Sequence, residues 1–260
     1  MAFFAVAAIA GLQPQAKAQT LIDLGTAWEF SILAGTSVSN TGVAIVNGDL
    51  GVSPGTTVTG FGGDGNGIVN GTIYVGSSSL AALAETDLSS AYDMAEGESI
   101  TGSGVTTLSG ATTLTPGVYN LGTGIAVPLG TTITLNGNND SNPVFIFQSG
   151  STLTTASDTQ FILENGAQAS DVFWQVTSSA TLNSSDEFVG NVLANVSITM
   201  TTDATVDGRL LAENGAVVVD GNTFTAVPEP APTSLLIAGF VGLIIGVGRI
   251  RGHFSDSNSI

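Results

Sequence analysis

Short hydrophobic and β-branched runs alternate with glycine, asparagine and proline along most of the chain. Residues 43 to 50, for example, read Val-Ala-Ile-Val-Asn-Gly-Asp-Leu. The pattern covers about Thr26 to Val75 and resumes from about Val105 to Thr225. Runs of this kind, separated by turn-forming residues, predict strands joined by tight turns.

Between Leu80 and Glu96 the apolar positions change to a helical spacing. Serines precede this segment and Gly97 follows it, so we predict one amphipathic helix that lies against a sheet. The residues expected on its apolar face are Leu80, Leu83, Ala84, Leu88, Ala91, Tyr92 and Ala95.

The strand region after the helix repeats at a nearly constant interval. One apolar column has steps of 28, 18 and 18 residues, and a second column repeats nearly the same interval with a one-residue slip. The first consists of Ile146, Trp174, Val192 and Leu210, and the second of Leu153, Leu182, Met200 and Val218. Such columns predict the stacked coils of a β-solenoid, with an extra loop near Asn165 to Ser170 in the longer step. The alternative is a β-sandwich, which does not require a fixed period.

Charge excludes one class of partner. The formal net charge is -17, and Arg209 is the only basic residue outside the two ends of the chain. Nucleic acid is therefore not expected as a partner, because phosphate binding needs lysine and arginine. We expect Arg209 to form an exposed pair with an acid such as Asp207 or Glu213, which contributes little to stability. There is no cysteine and hence no disulfide.

Both ends carry targeting features. Residues 1 to 18 are apolar and end in Ala16-Lys17-Ala18, a pattern typical of a secretory signal peptide that lacks its basic start. After the expected solenoid domain, residues 19 to 226, the segment 227 to 260 contains Pro228-Glu229-Pro230, an apolar stretch at 235 to 248, and then Arg249 and Arg251.

This tail resembles the PEP-CTERM sorting signal of bacteria, which an exosortase-type membrane protease is thought to process. The resemblance implies a secreted or cell-surface protein that is transiently anchored in the inner membrane by its C-terminal helix. A simple C-terminal anchor is the alternative, and the basic residues after the apolar stretch favour a cytoplasmic C-terminus in either case.

Several strings of the central region are similar to the microbial ice-binding protein family. They include Asn47-Gly48-Asp49-Leu50-Gly51-Val52-Ser53-Pro54-Gly55, Leu114-Thr115-Pro116-Gly117-Val118-Tyr119 and Phe188-Val189-Gly190-Asn191-Val192-Leu193-Ala194. The resemblance covers about Thr26 to Thr225. It implies an all-β fold with one long helix: a right-handed discontinuous β-solenoid, roughly triangular in section, with the helix packed alongside. It also implies binding of ice crystal planes through a flat face, with no cofactor.

The same steps project a candidate ice-binding face. One outward column contains Thr159, Glu187, Thr205 and Thr223, and a second, two residues earlier, contains Ser157, Ser185, Asp203 and Gly221. Residues at i and i+2 of a strand share one side, and threonine holds its hydroxyl and methyl groups in fixed positions. Carboxylates at Glu187 and Asp203 weigh against a strong ice binder. Either the activity is weak, or another side binds ice, or the scaffold serves adhesion.

Three other functions were weighed. The region between the two ends has no histidine, cysteine or lysine, and Asp203 and Asp207 would lie about 13 Å apart on an extended strand, too far for a glycosidase pair. We therefore expect no catalytic site. The segment Gly62-Gly63-Asp64-Gly65-Asn66-Gly67 resembles a calcium-binding nonapeptide only loosely, so we expect a loop and no metal. The remaining alternative is a matrix or surface adhesion protein that binds exopolysaccharide. We expect a monomer.

Overall fold

The computed structural model describes residues 21–62, 66–102 and 104–225. The expected signal peptide, the sorting tail and residues 63 to 65 of the glycine-rich loop therefore lie outside the described residues. Within the described ranges, no helix combines the length and the apolar character needed to cross a membrane.

The described residues form a mostly β structure with one α-helix, as the sequence predicts. The strands before the helix are β1 (Phe30–Ala34), β2 (Ser37–Asn40), β3 (Ile45–Val46), β4 (Asp49–Val52), β5 (Thr57–Thr59), β6 (Ile68–Val69) and β7 (Ile73–Val75). The helix is α1 (Leu80–Gly97). The strands after it are β8 (Thr112–Leu114), β9 (Gly117–Asn120), β10 (Gly124–Val127), β11 (Thr132–Asn136), β12 (Phe145–Ser149), β13 (Thr152–Thr155), β14 (Gln160–Glu164), β15 (Val172–Val176), β16 (Ala180–Leu182), β17 (Glu187–Ala194), β18 (Ile198–Met200), β19 (Thr205–Ala212), β20 (Ala216–Val219) and β21 (Thr223–Thr225).

The strands form three sides, and the pairs between named strands are all parallel. The threonine side is the seven-stranded sheet in the order β10-β13-β16-β18-β20-β2-β5. The acidic side follows the order β8-β11-β14-β17-β19-β21-β3-β6 and carries Glu164, Glu187 and Asp207. The helix side contains β9, β12, β15, β1, β4 and β7 together with the C-terminal halves of β17 and β19.

The chain visits the acidic side, the helix side and the threonine side in turn, and we call one such circuit a coil. The coil order differs from the chain order, because β1 pairs with both β19 and β4 while β21 pairs with β3. The first coils of the chain therefore continue the stack beyond the last ones. Because β7 precedes α1 and β8 follows it, α1 lies between the two ends of the stack along the chain.

Two glycines let a single strand turn the corner between two sides. Strands β17 and β19 each run from the acidic side onto the helix side, and Gly190 and Gly208 lie at the bend with φ of 107° and 152°. A Cβ at Gly208 would lie 1.9 Å from the carbonyl oxygen of Gly190, so only glycine fits there. In the preceding coil, residues 165 to 171 separate β14 from β15, which confirms the extra loop expected in the longer step.

The core lies between the three sides and contains an aromatic stack. Tyr119, Phe147 and Trp174 stack with ring centroids 5.5 and 4.1 Å apart along successive strands of the helix side. The partner of Trp174 in the preceding coil is thus Phe147 and not Ile146, which faces the helix. The second predicted column also contains an error, because Val218 pairs with Thr199 and points outward.

Helix α1 packs on the outer surface of the helix side, as predicted. Its buried residues are Ala81, Ala84, Leu88, Ala91, Tyr92 and Ala95. Leu83, expected among them, is exposed. Small alanines bring the helix backbone close to the sheet, and the Nε2 of Gln148 donates hydrogen bonds to the carbonyls of Ala95, Glu96 and Glu98 at the helix end.

Arg209 is 4% exposed, so the expected exposed pair is wrong. Its Nε donates to the carbonyl of Trp28 at 3.0 Å, its Nη1 donates to Oδ1 of Asn191, and the guanidinium lies 4.3 Å from the centre of the Trp28 ring. The positive charge also lowers the pKa of Asp207, although burial outweighs it and leaves that pKa raised. Arg209 therefore fastens the segment before β1 to the solenoid wall.

Candidate functional site

Three of the residues predicted from the sequence do lie together. Glu187 pairs with Thr205, and Thr205 pairs with Thr223, and all three side chains are exposed on the acidic side. The same column continues to Gln160 on one side and to Ile45 and Ile68 on the other. This surface therefore mixes carboxylate, amide, hydroxyl and branched apolar side chains.

Thr159 does not belong to that column, and its prediction as a surface residue is wrong. Its exposure is 0%, and its backbone amide donates to Oδ1 of Asp186 at 3.0 Å, while Thr155 donates its hydroxyl to the same carboxylate. The strand partner of Glu187 is Gln160. The step between these coils is one residue shorter than expected, and a one-residue slip reverses which side a residue faces.

The second predicted column lies at a corner and not on a strand. Ser185 and Asp203 have φ of 61° and 62°, a left-handed conformation that they share with Asp158 and Gly221. Asp158, and not Ser157, is thus the equivalent residue one coil earlier. Short polar residues and glycine tolerate this conformation, so these residue types are explained by the turn between the threonine and acidic sides.

A more regular surface lies on the threonine side. An outward column runs unbroken through all seven strands, and each pair of neighbours is in register. In order it contains Ala126, Thr154, Thr181, Thr199, Val218, Ser39 and Thr59. We call these residues the threonine column. All are partly or fully exposed.

A parallel column two residues earlier has the same character. Gly124 pairs with Thr152, and Ser37 pairs with Ala216 and Thr57. Between them, the hydroxyl oxygens of Ser179 and Ser197 accept hydrogen bonds from the amides of the next coil, at 3.3 and 3.2 Å. These serines are held by the backbone, which makes the surface rigid at its centre.

The local sequence explains this side. Its strands alternate small outward residues with buried valine, isoleucine, leucine or methionine, as in Ile198-Thr199-Met200 with its buried, half-buried and buried pattern. Strict alternation of this kind produces a strand with one buried face. None of the seven strands contains a charged residue. The serine and threonine alternation was visible in the sequence, but the column search followed the acidic side.

The described residues offer little to a metal or a catalytic reaction. Among them, no group of three or more histidine, cysteine, aspartate or glutamate side chains lies close enough together to hold a metal ion. The most enclosed carboxylate near the candidate surfaces is Asp186, whose pKa is raised by burial in spite of the hydrogen bonds that it accepts. Those bonds join Asp186 to two threonines of the preceding coil, which is a structural arrangement.

Comparison with known proteins identifies the family. A family model described as ice-binding-like matches residues 32–225. The chain belongs to the ice-binding protein family. An ice-binding protein of Nostoc sp. (strain HG1) is 40% identical over 257 residues, which cover 92% of this chain and 91% of the relative. An ice-binding protein of Flavobacterium frigoris (strain PS1) is 35% identical over 228 residues, covering 80% and 77%.

The fold of this family member also matches solved structures. The crystal structure of an ice-binding protein from an Antarctic biological consortium superposes with a TM-score of 0.73 and 42% sequence identity, covering 80% of this chain and 92% of that one. That chain contains little beyond the region aligned with the described residues. The mostly β architecture with one helix is therefore a property of the family.

Proposed function

We propose that this protein binds ice through the threonine side. The observation that carries the proposal is the threonine column, seven outward residues in unbroken register without a charged side chain. Family membership supplies the ligand, and the column indicates which of the two uncovered sides meets it. The helix side is excluded because α1 covers it.

The physical basis is a regular grid of small groups. Neighbouring strands lie about 4.8 Å apart and residues i and i+2 about 6.6 Å apart, so the two columns repeat hydroxyl and methyl groups in both directions. Threonine has few side-chain conformations to lose, and ordered water costs little when each molecule finds hydrogen-bond partners. The acidic side lacks this regularity, because Glu187 and Asp207 hold their own hydration water.

Paired tyrosine substitutions test the assignment. We expect Thr181→Tyr with Thr199→Tyr to abolish thermal hysteresis and ice-crystal shaping, because two large rings at the centre of the column prevent close contact. Thr205→Tyr with Thr223→Tyr on the acidic side is the matched control and should retain activity. If only the acidic-side pair loses activity, the face predicted from the sequence is the correct one. Circular dichroism and melting temperature confirm that both variants fold.

Ice affinity partitioning tests the function itself. The wild-type protein should be enriched in a growing ice hemisphere, and the paired variant of the threonine side should be excluded from it. Exclusion of the wild-type protein, combined with its retention on exopolysaccharide, would replace ice binding by adhesion. Turnover of a polysaccharide panel would be the corresponding sign of an enzyme.

We further infer that the coils form a right-handed discontinuous β-solenoid. Support comes from the parallel pairing, from the chain visiting three sides in turn, and from the insertion of β1 and β2 beside β19 and β20. Right-handed crossover is the rule for parallel strand connections.

The targeting features support export of this protein. We propose that residues 1 to 18 direct secretion and that Pro228-Glu229-Pro230, the apolar stretch and the arginines Arg249 and Arg251 act as a sorting signal for an exosortase-type protease. Fractionation of cells that express the full chain tests this. Deletion of residues 227 to 260 should move the protein from the envelope to the medium, whereas an unchanged distribution would contradict the proposal.

A further inference from the structure

The two ends of the coil stack differ. At the β8 end, the inward residues Leu114 and Ile125 are buried, and Leu108 of the preceding segment is buried with them. At the β7 end, Ile73 and Val75 are each 42% exposed. Their strand partners one coil inward are Leu50 and Val52, which are both fully buried in the core. Ile73 and Val75 thus occupy core positions that the described residues leave uncovered.

The uncovered end also presents strand edges. Strands β5, β6 and β7 each have a strand partner on one side only within the described ranges. Each edge offers backbone groups for pairing with another strand. An apolar patch alone would fit many partners, but open edges on each of the three sides fit the end of another coil.

The charge distribution points to a second copy of the same chain. Residues 53 to 79, which include β5, β6 and β7, contain one ionisable side chain, Asp64, although the whole chain carries a formal charge of -17. Two copies repel each other wherever their acidic surfaces meet. The end coil is the part of the solenoid where they approach with the least repulsion.

We propose that this protein associates end to end through the β5, β6 and β7 coil, with a second copy of the chain as the partner. Because the β8 end is covered, a head-to-tail stack has no second open end to use. The association is therefore head to head and closed, with the same residues of both copies related by a twofold axis. Strands related in this way run antiparallel, a pairing that sheets readily form. This revises the monomer expected from the sequence.

Sedimentation velocity of residues 19 to 226 tests the proposal, and the related crystal structure, which contains little more than this region, supports its folding alone. We expect a dimer that increases with protein concentration and with salt, since salt screens the repulsion between acidic copies. Ile73→Lys with Val75→Lys should weaken dimerisation at least about tenfold, because it introduces four like charges into one closed contact. Leu129→Lys is the matched control, because Leu129 is 70% exposed elsewhere on the surface.

Cross-linking provides a second measurement. The chain has no cysteine, so single variants report one position each. Thr72→Cys at the open end should form dimers with a short bismaleimide, and Thr113→Cys at the covered end should not. A wild-type fragment that stays monomeric at every concentration, or equal cross-linking at both positions, would overturn the proposal. Neither readout depends on ice binding, so each proposal stands or fails alone.

Discussion

A buried carboxyl group in α1 should make the stability of this protein fall as the pH rises. Both Oε atoms of Glu85 are buried without a hydrogen-bond partner, and desolvation, with a smaller effect from the charge of Glu213, raises the pKa of Glu85 from 4.5 to about 9. In the unfolded chain Glu85 loses its proton near its ordinary pKa, whereas the folded protein keeps it. Between these two pKa values the unfolded state binds fewer protons, so deprotonation favours unfolding as the pH increases.

The magnitude follows from the linkage relation. One proton of difference corresponds to about 1.4 kcal/mol per pH unit, so Glu85 lowers the free energy of unfolding by up to about 2.7 kcal/mol over two units within this range. Its stabilising effect is complete below the unfolded pKa and is lost progressively up to the folded one. Asp186 and Asp171 have raised pKa values for the same reason, burial, and add to the trend in the wild-type protein.

Glu85→Gln isolates the contribution of Glu85. Glutamine has nearly the same shape as the protonated acid and no titration, so the variant should be more stable than wild type at neutral and higher pH, and its stability should depend less on pH. Urea unfolding at a series of pH values measures both slopes. Glu187→Gln removes an exposed carboxylate and serves as the control. Parallel curves for wild type and Glu85→Gln would refute the reasoning.

Three further outcomes are expected. Asp186→Ala removes the acceptor of two buried hydrogen bonds and should cost about 3 kcal/mol in urea unfolding, while Asp203→Asn at the exposed corner should cost little; equal costs would contradict the network. Val218→Thr completes the hydroxyls of the threonine column and should increase thermal hysteresis with little change in melting temperature; an unchanged or lower value would show that the methyl groups matter more. Gln148→Leu leaves the carbonyls at the end of α1 without their donor and should accelerate hydrogen exchange of the backbone amides in the last turn; unchanged exchange there would show that packing alone holds the helix end.

The helix and the coil stack were predictable because each depends on a pattern longer than one element. Helical spacing over 17 positions distinguishes α1 from its surroundings, and apolar columns at a constant step require stacked strands. Leu83 shows the limit of such reasoning. It has the helical spacing and is nevertheless exposed, because the face of α1 that meets the sheet is made of alanines.

Buried polar groups could not be predicted. Glu85 lies on the helix at a position where a solvated acid is ordinary, and its burial depends on how α1 sits against the sheet. Asp186 follows an exposed corner residue, yet it points inward to two threonines of the preceding coil. These environments are produced by neighbours distant in sequence, so no local pattern reports them.

The candidate site moved because a single residue changes the side of a solenoid on which a side chain lies. The longer coil between β14 and β15 spans 27 residues from Phe147 to its partner Trp174, and the expected step of 28 placed Thr159 where Gln160 stands. The core tolerates this error in a prediction, since valine, leucine and phenylalanine are interchangeable as apolar column members. A surface does not, because alternate residues face water and core. An ice-binding face in such a fold is therefore defined by strand register, and residue type alone selects it only where the register is known.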